Sequence, residues 1–271
     1  MKKFFIIAAA AIIALTFNAC KDKNAPDDKK KVTFAIEAQD VTSTTAKVVV
    51  TPSDSTIYYY FDLLTAADLA AGYNADSLVA DMKASSIANG YKFPQYLSQG
   101  KDSWEWDGLF PETEYTIYAL QFDSAYNRVG DWTLFKFTTL TLEIKETVNL
   151  TADGTYADYT DYGYPFFVDI PVGTGDAYIE LAFTDALPEG AFTEEAFDAD
   201  FGAWYVVSDD EYYAVYSAKL NGAMSNEKYK LTGELICTNA VKYVLDVTCE
   251  EESMEYAPAK KALKLNRSAR K

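Results

Sequence analysis

The chain has 271 residues, of which 24 are Lys or Arg, 41 are Asp or Glu and none is His, giving a net charge of −17. This length suffices for one large or two ordinary domains, and a hydrophobic share of 49% supports a buried core. Without histidine, the Ser-His-Asp and Cys-His catalytic arrangements and the commonest metal ligand are excluded. The acidic charge disfavours nucleic acid as a partner.

Residues 1–19 have the pattern of a secretory signal. Lys2 and Lys3 form a positive start, and the apolar run over 4–15 is too short to span a bilayer as a helix. The run leads to Ala19-Cys20, which resembles the lipobox of bacterial lipoproteins. The resemblance implies that Cys20 is the lipid-attachment residue, carrying acyl chains such as palmitate, and becomes the mature N-terminus. The alternative is ordinary secretory cleavage beside a chance cysteine.

Residues 20–31 form a charged tether that follows the signal. Eleven of them, Lys21–Lys31, carry eight charges and no large apolar side chain, so the segment cannot build a core. Fully extended, it reaches at most ~35–40 Å from the membrane. A lysine and acidic residues after the cysteine resemble the surface-export signal of Bacteroidota lipoproteins. That resemblance implies an outer-membrane lipoprotein, with the outward-facing location favoured over the periplasmic one.

Residues 32–139 have the alternating, β-branched and aromatic pattern of strands. The pattern Leu109-x-Pro-x-Thr-x-Tyr115 resembles the E–F corner of fibronectin type III domains. In that family the tyrosine hydroxyl bonds to upstream backbone and fixes the corner. The resemblance implies a fibronectin type III-like β-sandwich. Trp104 and Trp106 precede Leu109 by five and three residues, and the resemblance to the fibronectin type III pattern implies that both point into the core.

A segment over 65–100 is too long for the usual connection in such a domain and is predicted to be a helical insert. Thr65 with Asp68 resembles a capping box, and Asn74 can cap a second helix. Both faces of the strands near 57–62 and 115–122 are apolar, so the insert is predicted to cover the second face. The packing residues expected on the second helix are Leu78, Val79, Met82 and Ile87.

Residues 140–266 are predicted to form a second antiparallel β-sandwich with a short helix capped by Thr193, which makes the fold class all-β with two sandwiches in tandem. Strand patterns such as that of 229–236 resemble the second sandwich of many Bacteroidota lipoproteins. A basic tail over 267–271 follows. The cations after position 259 are predicted to lie on acidic protein surface, or alternatively to attract phosphates of lipopolysaccharide or another polyanion.

The acidic and cysteine residues that could be reactive are predicted to have structural roles. Glu194 and Glu195 are predicted to lie in the first helical turn, where negative charge suits the helix dipole. Cys237 and Cys249 are predicted to lie on the order of 20 Å apart along one hairpin, too far for a disulfide, and to be buried free thiols. No catalytic residue, metal or cofactor is predicted.

Two sets of candidate functional residues remain. Three aromatic side chains on one face of a predicted hairpin form a candidate ligand platform: Tyr205, Tyr212 and Tyr216. The alternative is that both faces of this hairpin are buried. Three Asp-Ser sequences resemble the O-glycosylation acceptor of Bacteroidota, at Ser55, Ser77 and Ser124.

The leading hypothesis is a non-enzymatic, lipid-anchored protein of the outer membrane that acts in adhesion or ligand binding. One alternative is an accessory glycan-binding component of a polysaccharide-uptake system. Another is a structural or assembly spacer. The expected partners are the membrane, through the N-terminal lipid, and a glycan or protein ligand.

Overall fold

The computed structural model describes residues 32–252 except 89, 91, 161–163 and 209–210. Strands account for more than half of these residues, which confirms the predicted all-β class. No helix within these residues is long and apolar enough to cross a membrane. The predicted signal, the tether with Cys20 and the basic tail lie outside them. The described residues from Thr33 onward pack as one compact unit, so the division into two domains stays a prediction.

Six strands form two three-stranded antiparallel sheets in the first half, here called the two-sheet module. They are β1 (Phe34–Gln39), β2 (Ala46–Pro52), β3 (Tyr58–Thr65), β4 (Asp102–Trp106), β5 (Glu114–Phe122) and β6 (Arg128–Thr138). The sheet orders are β1-β2-β4 and β3-β5-β6. One face of each sheet contributes to a shared core that includes Val48, Phe61 and Ile117. Trp104 and Trp106 pack against this core, which confirms their predicted position.

The corner before β5 is held by side-chain hydrogen bonds. The Tyr115 hydroxyl oxygen accepts a bond from the Phe110 backbone N–H at 2.8 Å, the upstream contact that the family resemblance implies. The Thr139 hydroxyl donates to the Phe110 carbonyl oxygen at 2.6 Å and accepts from Thr113 N–H at 3.0 Å. These bonds satisfy backbone groups that no strand partner reaches.

The insert contains two helices, α1 (Ala66–Ala70) and α2 (Ala75–Ala88), followed by a 3₁₀ turn (Phe93–Tyr96). Thr65 forms the predicted capping box, because its Oγ1 accepts from Asp68 N–H at 3.2 Å and Asp68 Oδ2 accepts from Thr65 N–H at 2.8 Å. Asn74 Oδ1 accepts from the first backbone N–H groups of α2, as predicted. Both helix starts therefore follow from local sequence.

The insert covers the second face of sheet β3-β5-β6, as predicted. Buried side chains of β3 and β5 meet α2 and the 3₁₀ turn, and the rings of Phe122 and Phe93 lie 5.3 Å apart. Leu78 is buried at this contact, but the expectation for Ile87 is wrong, since Ile87 is 81% exposed. Ile87 follows Leu78 by about two and a half helical turns and so lies on the opposite side of α2.

Nine strands form the second half of the chain. They are β7 (Glu146–Leu150), β8 (Gly154–Asp158), β9 (Phe166–Pro171), β10 (Tyr178–Phe183), β11 (Gly190–Thr193), β12 (Ala203–Ser208), β13 (Glu211–Ser225), β14 (Lys228–Cys237) and β15 (Val241–Glu251). Seven of them close into a barrel in the order β8-β9-β10-β12-β13-β14-β15. The barrel interior is filled by side chains of its own strands, with Leu231 and Leu235 fully buried.

This barrel corrects the prediction of a second antiparallel β-sandwich. Strand β13 pairs with both β12 and β14, and β8 pairs with β15, so the edges that a sandwich would leave open are joined. The β8–β15 pairing and the β7–β15 pairing are parallel, which the hairpin pattern of the sequence could not reveal. Strand pairs distant in sequence, rather than consecutive hairpins, decide this closure.

The predicted short helix after Thr193 is also corrected. Only a 3₁₀ turn (Glu194–Ala196) forms, and Thr193 makes no side-chain capping bond. Glu194 instead reaches across to β13, where its Oε2 accepts from Ala218 N–H at 2.9 Å. Phe192 and Phe197 both pack on Phe183, so apolar contacts rather than helix formation hold this segment.

Cys237 and Cys249 are buried free thiols, which confirms the prediction. Cys249 pairs with Tyr229 at one end of the β14–β15 hairpin, and Cys237 lies at the other end. Burial raises the pKa of each thiol to about 12, which suppresses the reactive thiolate.

We expect these two thiols to react slowly with a thiol reagent in the native protein and fast after denaturation. Time-resolved thiol titration without reductant measures both states. Peptide mapping identifies which cysteines react after denaturation. If fewer than two of Cys237 and Cys249 reacted, the described packing would be contradicted.

Candidate functional site

The hairpin β12–β13 does not have the register on which the tyrosine platform was predicted. Ser208 pairs with Glu211, but a β-bulge between Val206 and Ser208 shifts the pairing by one residue. Tyr205 therefore pairs with Tyr213 rather than with Ala214, and both rings pack against the barrel core. A one-residue shift moves a side chain to the other face of a strand.

The prediction that Tyr205, Tyr212 and Tyr216 share one face is consequently wrong. Tyr205 stacks on Tyr213 with ring centroids 6.2 Å apart and contacts Tyr243 at 5.3 Å. Tyr216 lies at a separate bulge, in β13, and burial together with the charge of Glu112 raises its pKa. Only Tyr212 of the three is exposed, at 38%.

The same shift assembles a different aromatic set on the outer wall of the barrel. Tyr178, Val206 and Tyr212 are successive cross-strand partners on β10, β12 and β13. In the next row, Glu180 is the partner of Trp204. We call the three rings around Val206, those of Tyr178, Trp204 and Tyr212, the aromatic surface.

The geometry of the aromatic surface is fixed by ring and hydrogen-bond contacts. The Trp204 and Tyr212 rings lie 5.6 Å apart at 82°, an edge-to-face arrangement. The Trp204 indole N–H donates to the Phe201 carbonyl oxygen at 2.6 Å, which fixes the orientation of the indole. The Phe201 ring in turn contacts Tyr164, which is 48% exposed, at 6.1 Å. Apolar rings thus continue beyond the strands.

Sequence reasoning missed Trp204 and Tyr178 because both faces of these strands are apolar. Simple alternation along the strand puts Trp204 on the opposite face from Tyr205, which is the face without the predicted platform. A bulge adds a residue to one strand without a distinct composition, so alternation alone gives no signal for it. The burial of Val206 between three large aromatic side chains could have indicated the surface, but only if the strand register had been known.

The predicted O-glycosylation residues fall in two different environments. Ser55 and Ser124 are exposed in turns, where the preceding Asp54 and Asp123 carboxylates accept backbone N–H bonds. Ser77 lies in the first turn of α2, and its hydroxyl donates to the Asn74 carbonyl oxygen at 2.9 Å. The two turn serines are therefore more exposed than Ser77.

Two shallow cavities lie elsewhere. One of about 330 Å³ lies over β2 and β4 of the two-sheet module, and its lining includes Lys47, Lys101 and Asp102. The other, of about 230 Å³, lies at an end of the barrel beside Tyr156, Leu187 and Met224. Within the described ranges, no group of three or more Cys, Asp or Glu side chains is placed to hold a metal ion.

No protein-family model matches this chain, and no curated protein sequence is significantly similar to it. The functional conclusion therefore depends on the residues and their geometry alone.

Proposed function

We propose that this chain is a lipid-anchored protein of the outer membrane that acts in adhesion or ligand binding without catalysis. The observation that carries the proposal is the aromatic surface on the outer wall of a closed barrel. Rings held on paired strands lose little conformational freedom when they bind, and aromatic residues are typical of binding surfaces. The Ala19-Cys20 pattern and the charged tether support display of this surface from a membrane.

In the same proposal, the two-sheet module is fibronectin type III-like and stands between the tether and the barrel in the chain. The sheet orders β1-β2-β4 and β3-β5-β6 and the Tyr115 hydrogen bond support this assignment. The exposed Ser55 and Ser124 are the proposed O-glycosylation positions, in preference to Ser77. The outward-facing side of the membrane is the proposed location.

Cys20→Ala is expected to move the protein from the membrane fraction to the soluble fraction, because the acyl chains would have no attachment residue. Fractionation of cells followed by a carbonate wash measures the distribution. The matched control is Lys21→Ala, which changes the neighbouring residue and should leave the protein in the membrane. A Cys20→Ala protein that stays membrane-bound after the wash would contradict lipid anchoring.

A further inference from the structure

We infer that the aromatic surface binds neutral saccharide rings. This inference rests on the proposed binding function and names the class of ligand. It is drawn from three features of the outer barrel wall: the perpendicular rings of Trp204 and Tyr212, the Glu180 carboxylate beside them and the rigidity of their support.

The ring geometry suits a pyranose. A sugar ring has faces of C–H groups that pack on an aromatic ring and an edge of hydroxyl groups that requires hydrogen-bond partners. Trp204 and Tyr212 at 82° form two sides of a corner, so that one ring can contact a sugar face while the other contacts its edge. The exposed Tyr212 also has a phenol hydroxyl that can donate a hydrogen bond to a sugar hydroxyl or accept one from it.

The charges beside the rings distinguish among ligands. Glu180 on β10 is the direct cross-strand partner of Trp204 on β12, so its carboxylate lies beside the rings. Carboxylates accept hydrogen bonds from sugar hydroxyls, whereas they repel a polyanion, as does a chain with a net charge of −17. Neutral saccharides therefore fit this surface better than uronate-rich or sulfated ones.

The support of the rings favours binding. The surface spans three hydrogen-bonded strands of a closed barrel, and the Trp204 indole is oriented by its bond to Phe201. Val206 beneath the rings is buried, so the rings stand on a packed base. A surface arranged in this way does not need to reorganise before it contacts a ligand.

The test is calorimetric titration of the detergent-purified full-length protein with cellohexaose, laminarihexaose, maltohexaose and mannohexaose, and with hexagalacturonate as an anionic probe. At least one neutral hexasaccharide is expected to bind. Tyr212→Ala is expected to lower that association constant at least about tenfold. Tyr73→Ala is the matched control, because Tyr73 is a tyrosine of nearly equal exposure, 39%, in the insert.

A second variant separates binding from stability. Tyr212→Leu keeps apolar volume on the barrel wall but removes the aromatic ring, so it should retain the wild-type melting temperature and still lose binding. The inference is overturned if no neutral hexasaccharide binds, if hexagalacturonate binds better, or if Tyr212→Leu binds like wild type. If the membrane-anchored protein bound none of these saccharides but bound a protein ligand, the saccharide inference would be wrong and the proposed binding function would still hold.

Discussion

Gly222→Ala is expected to destabilise the barrel by about 3 kcal/mol or more, because the added methyl group has no room. An added Cβ would overlap the Tyr229 hydroxyl oxygen and the Pro188 carbonyl oxygen and lie 2.7 Å from Tyr229 Cζ. Tyr229 is fully buried, and its hydroxyl donates to the Pro188 carbonyl oxygen at 2.7 Å. Neither group can move without breaking that bond or displacing the core.

The matched control is Gly175→Ala, because no atom lies within 4 Å of the corresponding added Cβ. Denaturant unfolding of the three proteins compares their free energies of unfolding. Equal stability of Gly222→Ala and wild type would show that Tyr229 does not occupy the described position.

Leu78→Asp is expected to release the insert from sheet β3-β5-β6 and to cost about 3–5 kcal/mol, since it removes a buried apolar side chain and introduces a charge. Leu78 is 7% exposed and packs with Tyr60, Tyr118 and Leu120. Exposure of this face should increase the binding of a hydrophobic dye and promote aggregation. Dye fluorescence and light scattering at a fixed protein concentration measure the effect.

Ile87→Asp provides the control on the same helix, because Ile87 is 81% exposed. It should change dye binding and unfolding free energy little. If both variants behaved alike, the contact between α2 and the sheet would be wrong.

The sequence predicted those parts of the fold that depend on local patterns. The caps at Thr65 and Asn74, the two apolar faces of β5 and the buried thiols all follow from neighbouring residues or from one hairpin. Closure of the barrel depends on pairing between β8 and β15, which are far apart in sequence and parallel. No local motif encodes such a pairing, so the alternation of residues 140–266 fits a sandwich and a barrel equally well.

The candidate site could be predicted only in part. The hairpin β12–β13 and its richness in aromatic residues were visible in the sequence, and of the three predicted tyrosines Tyr212 is the exposed one. The bulge near Val207 then decided which rings face outward, replacing Tyr205 by Trp204. Tyr178 joins them from a neighbouring strand, which requires the sheet register as well. A site assembled across strands needs tertiary information that periodicity does not contain.

Whether this protein is anchored in the membrane by a lipid on Cys20 can be measured as the mass of the N-terminal peptide of the protein purified from membranes. We expect residues 1–19 to be absent and the peptide to begin at Cys20 and to carry the added mass of its acyl chains. A peptide that begins elsewhere, or one that begins at an unmodified Cys20, would contradict this expectation.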